Sequence, residues 1–200
     1  KAIDNVEIKI AEDGEILIKG PNVMQGYYKD PKKTSEVMTG DYFHTGDKGE
    51  LDKDGFLRIT GRKKEIFKTS GGKYIAPTLL ENQMKQSRFI EQILVIGEGQ
   101  KMPAAIVQPN FDFVREWARR HDVTLGETIE EIAENKEVHD RIMEEIEEGN
   151  SHFGKWETIK RIEIAPEVWS VDNDLLTPTF KPKREVILKR YKHLYDRIYG

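Results

Sequence analysis

Gly61-Arg62-Lys63-Lys64-Glu65-Ile66-Phe67-Lys68-Thr69-Ser70-Gly71-Gly72-Lys73-Tyr74-Ile75-Ala76-Pro77 divides two kinds of sequence. Upstream, Val6, Ile8 and Ile10 alternate with charged residues, Asp13-Gly14 turns the chain and Ile16-Leu17-Ile18 returns it, which predicts a β-hairpin. A second Asp-Gly pair, Asp54-Gly55, separates Gly49-Glu50-Leu51 from Phe56-Leu57-Arg58-Ile59 and accepts positive φ cheaply. Between the two hairpins, residues 29–38 read as a short helix or turn starting after Pro31. Downstream, Pro77-Thr78-Leu79-Leu80-Glu81 opens a helix with proline early and apolar residues at helical spacing. Strands are expected at 90–96, 104–108 and 160–164, and helices at 111–120 and 183–198. The acidic stretch 127–148 sets Val138, Ile142 and Ile146 four residues apart on one helical face, expected to pack inside the fold rather than to bind a partner. The class is α+β: a β-rich segment over residues 1–62, then a small mixed α/β domain over 63–200.

Composition narrows the function. A length of 200 residues allows one large or two smaller domains and is enough to bury a core. The charged fraction, 34%, nearly equals the hydrophobic 37%, which implies much solvated helix surface or a core completed by a missing partner. A net charge of -4 gives no global attraction to nucleic acid, although local basic clusters could still bind anions. The absence of cysteine excludes disulfides, thiolate-ligated zinc and thiol catalysis, and fits a reducing compartment such as the cytoplasm. No apolar run approaches the roughly 18 residues needed to span a bilayer, and no secretory leader is visible. Because the chain begins at Lys1 and enters a strand pattern almost at once, it is expected to be a piece of a longer protein. His121, His139 and His152 lack metal-ligand spacing and read as solvated or structural, Trp117 reads as core, and no serine nucleophile elbow is present.

Five segments stand out, the first of them structural, since its Pro21 and Gly26 supply backbone conformations that a hairpin edge needs. The first is Gly14-Glu15-Ile16-Leu17-Ile18-Lys19-Gly20-Pro21 followed by Met24-Gln25-Gly26-Tyr27; the second is Tyr42-Phe43-His44-Thr45-Gly46-Asp47. Gly61-Arg62 with Lys64 is the third, and Lys68 with Gly71-Gly72 ahead of Tyr74-Ile75-Ala76-Pro77 the fourth. The fifth is Leu176-Thr177-Pro178-Thr179-Phe180-Lys181-Pro182-Lys183-Arg184. In this order they resemble the adenylate-forming (AMP-binding) superfamily, and Ile66-Phe67-Lys68 with Tyr74-Ile75-Ala76-Pro77 resembles its long-chain acyl-CoA synthetase branch. Phe180, where most of the superfamily has glycine, also resembles that branch.

The resemblance implies a chain holding the β-rich end of a large domain and a mobile C-terminal lid, with a hinge at 63–64. It implies ATP, Mg2+ and coenzyme A as reactants with a fatty acid, the missing N-terminal part of the same protein as partner, and a cytoplasmic setting that leaves peripheral membrane association open. Asp47 would accept hydrogen bonds from the ribose hydroxyls, since a carboxylate offers two acceptors to a vicinal diol. Arg62 would be the second nucleotide contact, its fixed fork suiting ribose or phosphate oxygens. Lys64 would be the hinge, its side chain staying solvated while the backbone changes state. Lys68, Gly71 and Gly72 would face coenzyme A in the thioester step, glycine allowing close approach of the pantetheine arm. Lys181, with Lys183 as the alternative, would neutralise charge developing at the α-phosphate.

Each motif also has a plainer reading: Thr-Gly-Asp as an ordinary turn, Gly71-Gly72 as a hairpin loop, and the 176–184 segment as a basic turn before a helix. Three readings of the whole chain compete with a fatty-acid ligase. Another adenylate-forming ligase, acting on aryl acids or a carrier protein, would carry the same motifs. A small nucleic-acid or anion-binding module would use Arg62, Lys63, Lys64, Lys68 and Lys73 with Lys181, Lys183 and Arg184, although Glu65, Ile66 and Phe67 interrupt the first cluster. The third is a purely structural partner domain. Without a phosphate-binding loop and an acyl pocket, the fragment alone is expected to be inactive. Uncovered apolar faces over 1–60 are expected to promote self-association.

Overall fold

The computed structural model describes residues 1–200 and divides them into two compact units, Lys1–Ile66 and Phe67–Gly200. In the first unit, β1 (Glu7–Ile10) and β2 (Glu15–Lys19) form the expected antiparallel hairpin, with Ile8 opposite Ile18 and Ile10 opposite Ile16. Helix α1 (Pro31–Glu36) begins at Pro31 itself, because Asp30 caps it by accepting from Lys33 N at 2.9 Å and proline suits the first helical position. Strands β3 (Met38–Thr39), β4 (Tyr42–Leu51) and β5 (Leu57–Arg62) complete an antiparallel sheet of order β1-β2-β4-β3, with β5 also paired to β4. Its one buried hydrophobic side chain is Ile16, while Ile3, Tyr28, Leu51, Phe56 and Ile59 are exposed.

The β2–β4 ladder is interrupted. Glu15 pairs with Lys48 and Leu17 with His44, so β4 carries two more residues than β2 across the interval. Thr45-Gly46-Asp47 thus stands against Ile16 alone, a β-bulge with Gly46 at φ 73°, a left-handed conformation that only glycine adopts cheaply.

The second unit is built on a three-stranded sheet of order β10-β9-β8, from β8 (Ile90–Ile96), β9 (Ala104–Pro109) and β10 (Ile162–Ile164). Strand β8 runs antiparallel to β9, and β10 runs parallel to it. The Ile93-Leu94-Val95-Ile96 run is apolar on both sides because both faces are covered. Ile93, Val95, Ala105 and Val107 pack against α2 (Pro77–Met84), α3 (Phe111–Arg120), α4 (Ile129–Ala133) and α5 (Lys136–Asn150) through Leu80, Met84, Val114, Ile132, Val138, Ile142 and Ile146. Leu94, Ile96, Ala104 and Ile106 pack against Leu175, Leu176 and the helices α6 (Arg184–Arg190) and α7 (Lys192–Tyr199). A short hairpin, β6 (Phe67–Lys68) with β7 (Tyr74–Ile75), opens the unit.

Two helical stretches differ from the sequence reading. The acidic stretch splits because Asn135 caps α5, accepting from Glu137 N and Val138 N while its amide donates to Thr124 O at 3.0 Å. The last helix breaks at Tyr191, whose buried hydroxyl accepts from Trp169 Nε1 at 3.1 Å. Val138, Ile142 and Ile146 form a packing face as expected, and Trp117 is half-buried against the core, edge-on to Phe89. No helix is long and apolar enough to cross a membrane.

Candidate functional site

In the first unit the two nucleotide candidates are brought together. Asp47 on β4 lies directly opposite Arg62 on β5, and Arg62 Nε is 3.0 Å from Asp47 Oδ1. A bulge leaves backbone amides without ladder partners, and each must be satisfied elsewhere. Thr45 Oγ1 accepts from Asp47 N at 3.0 Å and donates to Ile16 O at 2.8 Å, while Gly46 N donates to Glu15 Oε1 at 3.0 Å. Gly46 O accepts from Lys63 N at 2.8 Å, tying the bulge to the residue that follows β5.

Glu15 was not among the sequence candidates, yet it is the centre of this arrangement. It is only 4% exposed, and a carboxylate so buried needs partners. Oε2 accepts from Lys63 Nζ at 2.8 Å and from His44 Nδ1 at 2.9 Å, and His44 Nε2 is 2.9 Å from Thr39 Oγ1. Burial acts to raise the Glu15 carboxyl, but the bonds from His44, Lys63 and Gly46 outweigh it and hold the group below the usual glutamate range. Lys63 also pairs with Asp13 at 2.7 Å, and Asp13 and Glu15 together push its ammonium up to about 12. The sequence signals were its place in the Gly14-Glu15 segment, read as structural, and a lone glutamate at the head of an otherwise apolar Ile16-Leu17-Ile18 strand. Lys64 occupies an exposed turn in which Glu65 N and Ile66 N both donate to Arg62 O.

The remaining candidates lie in the second unit, in two loops. Lys68 and Tyr74 pair across the β6–β7 hairpin, and Lys68 Nζ sits 5.4 Å from the Tyr74 ring centroid. Gly71 and Gly72 are exposed at its tip, where Gly72 has φ 79° and donates to Thr69 O at 2.9 Å. The hairpin is anchored to the turn after β8, with Gly99 N donating to Lys68 O and Ser70 N to Gln100 O, both at 2.9 Å. A hairpin loop is therefore what Gly71-Gly72 forms, and it leaves the backbone at Gly71 open, with no atom near where a Cβ would stand.

Lys181 sits on a second tight turn. Leu176 bridges Pro182, Phe180 N donates to Thr177 O at 2.8 Å, Thr177 N donates to Lys181 O at 2.8 Å, and Lys181 N donates to Thr177 Oγ1 at 3.1 Å. Phe180 occupies the left-handed region at φ 58°, a conformation that suits glycine better than a residue with a Cβ. Its ring lines an open groove of about 460 Å³ with Trp169, Gln108 and Arg115. The two lysines differ: Lys181 is exposed at the turn, whereas Lys183 is neutralised by Asp174. The base of the turn is fixed by Arg184, which donates to Glu81 Oε1 at 2.6 Å and to Val95 O, while Glu81 Oε1 also accepts from Val95 N at 2.8 Å. Much of the basic character is thus consumed internally, with Arg62, Lys63, Lys183 and Arg184 each paired to a carboxylate.

Comparison with known proteins agrees with the α+β architecture. A family model described as the AMP-binding enzyme C-terminal domain matches residues 64–200. Long-chain-fatty-acid–CoA ligase FadD15 of Mycobacterium tuberculosis is 34% identical over 200 residues, covering 100% of this chain and 33% of that protein. Long-chain-fatty-acid–CoA ligase 1 of Homo sapiens is 40% identical over 192 residues, covering 94% of this chain and 27% of that protein. The chain thus spans about a third of the length of the curated relatives it matches. Among solved structures, the A domain of carboxylic acid reductase from Segniliparus rugosus, in complex with AMP and a co-purified carboxylic acid, superposes with a TM-score of 0.76 at 20% identity, covering 96% of this chain and 31% of that one. The adenylation domain of a carboxylate reductase from Mycobacterium chelonae gives 0.74 at 23% identity, over 92% of this chain and 27% of that one. At such identities these two likenesses show the shared fold.

Proposed function

Because the chain belongs to the AMP-binding enzyme C-terminal domain family, we propose that the protein containing it activates a long-chain fatty acid with ATP and transfers the acyl group to coenzyme A. The fatty-acid carboxylate attacks the α-phosphate of ATP, forming acyl-adenylate and releasing pyrophosphate; the coenzyme A thiol then attacks the acyl carbonyl and AMP leaves. The observation that carries this reading is the bulge that sets Asp47 beside Arg62, two polar groups held at a strand exit by bonds that a plain turn does not require. Asp47 accepts from the ribose diol through the carboxylate capacity that Arg62 leaves available, and Arg62 adds a cation beside it. The long-chain assignment follows the relatives' names and the Ile66-Phe67-Lys68 wording.

Lys181 supplies the cation for charge that accumulates at phosphorus in the first step, and its exposure favours it over Lys183, which Asp174 occupies. Lys68, Gly71 and Gly72 border the thiol's approach in the second step. Lys64 is the pivot between a β-rich segment at 1–62 and a mobile domain at 63–200, since its turn is exposed and rests on two backbone bonds to Arg62 O. No group of three acidic or histidine side chains is arranged to hold a metal, so in this reading Mg2+ arrives on the phosphates of ATP. The lack of cysteine fits the cytoplasm as the working compartment. Internal pairing of so many of its cations weighs against the nucleic-acid alternative.

Carboxylate-dependent ATP–pyrophosphate exchange by the full-length protein tests the reading. Exchange with hexadecanoate but not acetate is expected, with Lys181→Ala lowering it by roughly 10²–10³-fold and Lys183→Ala by less than about tenfold. The reverse order would move the catalytic role to Lys183. No exchange with any acid would refute the ligase reading.

A further inference from the structure

Glu15 is a buried carboxylate in a unit with little core: it is 4% exposed, and strand alternation places it on the face opposite Ile16, the one buried hydrophobic side chain of the unit. An isolated carboxylate there would cost several kcal/mol, so its retention calls for partners that use it. Those partners come from three places in the chain. Gly46 N is the orphan amide of the β4 bulge, His44 Nδ1 comes from β4 ahead of the bulge, and Lys63 Nζ comes from the residue that follows β5. The two residues covalently next to these partners are the nucleotide candidates: Asp47 follows Gly46, and Arg62 precedes Lys63. A single carboxylate thus holds the residue next to each, Gly46 by its backbone N–H and Lys63 by its ammonium.

We propose that Glu15 is a positioning residue for nucleotide binding: its buried carboxylate holds the Thr45-Gly46-Asp47 bulge and Lys63 in the arrangement that sets Asp47 beside Arg62. This rests on the reading that Asp47 and Arg62 hold the nucleotide. Glu15 touches neither residue's side chain, and acts through Gly46 N and Lys63. In Glu15→Gln the amide keeps one oxygen that can accept from Gly46 N, but its NH2 cannot accept from His44 Nδ1–H or Lys63 Nζ, so β4 loses one tie beside the bulge and Lys63 Nζ keeps only Asp13. Both changes misdirect Asp47 and Arg62 without touching any group that reacts with the fatty acid. The expected signature is therefore a weakened KM for ATP with the KM for the acid unchanged.

The test is ATP–pyrophosphate exchange by the full-length protein carrying Glu15→Gln, Lys63→Met, Asp47→Asn or Glu7→Gln. Glu15→Gln is expected to raise the ATP KM by roughly tenfold and Lys63→Met by roughly threefold, with the acid KM within about twofold in each. Glu7→Gln, which removes an exposed carboxylate from the same sheet, is expected to change neither. Loss of folded protein lowers the maximal rate but not KM, so a Glu15→Gln enzyme with reduced rate and unaltered ATP KM would overturn the proposal in favour of a purely structural role. If Glu15→Gln does not accumulate, an unchanged ATP KM in Lys63→Met overturns it. Asp47→Asn separates the premises: an unaltered ATP KM there sinks the nucleotide reading and the positioning role with it, whereas a raised KM there with none in Glu15→Gln or Lys63→Met sinks the positioning role alone.

Discussion

The two units are held together by different physics. Lys1–Ile66 buries a single hydrophobic side chain and relies on strand ladders and a carboxylate clamp, whereas Phe67–Gly200 covers both faces of its sheet with apolar side chains. Each fully buried Leu, Ile or Val contributes roughly 1.5–3 kcal/mol, so the second unit has a core sufficient to specify its fold and the first does not. Geometry in the first unit is correspondingly a matter of a few polar bonds, each costly to lose once buried. The unit richest in nucleotide candidates is thus the one least supported by packing.

The largest expected effect tests this contrast directly. All three tryptophans lie in the second unit, so tryptophan fluorescence during urea denaturation reports on that unit. Ile142→Ala should lower its stability by about 3 kcal/mol, whereas Ile16→Ala should leave that transition within about 0.5 kcal/mol. A shift of the tryptophan transition by Ile16→Ala comparable to that of Ile142→Ala would break the comparison.

Next in size is a polar anchor of the second unit, the Arg184–Glu81 pair. Arg184→Met removes the cation from the mostly buried Glu81 carboxylate and should cost about 2 kcal/mol in the same assay. A neutral result would show that apolar packing alone fixes the 176–184 segment, sharpening the contrast further.

The polar clamp of the first unit should respond to pH. Glu15 and Asp13 sit below their ordinary values of 4.5 and 3.8, so they stabilise the unit above those values and lose that contribution as pH falls through their folded values. Lys63, raised from 10.5 to about 12, stabilises below 10.5 and loses its contribution as pH rises through about 12. Ile16 methyl resonances, which do not exchange with water, should move at both ends of this range. In Glu15→Gln the acid limb should shrink to the part owed to Asp13, and an unaltered acid limb would count against the clamp.

The smallest effect is expected at Phe180. Replacing it with glycine removes a left-handed strain of about 1 kcal/mol but adds roughly 0.5–1 kcal/mol of unfolded-state freedom, so Phe180→Gly should change stability by less than about 0.5 kcal/mol. A loss well above that, read from the tryptophan transition, would mean that the ring's place in the groove beside Trp169 matters more than the backbone does.

Much of the fold was legible because it depends on near neighbours. The Asp13-Gly14 and Asp54-Gly55 turns, the Ile93-Leu94-Val95-Ile96 strand and the Phe111–Arg120 helix all follow from periodicity and turn chemistry within a few residues. The break at Tyr191 escaped because it involves a distant partner, Trp169, whereas that at Asn135 comes from a local cap, supported by a bond to Thr124 O, inside a stretch whose apolar spacing alone reads as one helix. At the candidate site the motifs drew attention to Asp47, Arg62 and Lys181 as residue types, and the Gly-Gly pair to a loop.

Sequence alone settled the two Asp-Gly turns, the main strands and helices of the second unit, and which residue types its motifs offer, since those properties arise from side chains a few positions apart. Only the tertiary structure decided that Asp47 faces Arg62 across two strands, that Lys183 is occupied by Asp174 while Lys181 stands exposed, and that Glu15 gathers Gly46, His44 and Lys63. The first and last of these rest on strand register and on one bulge, where a shift of one residue would turn each side chain to the opposite face, and the second rests on how the loop before α6 folds back on itself.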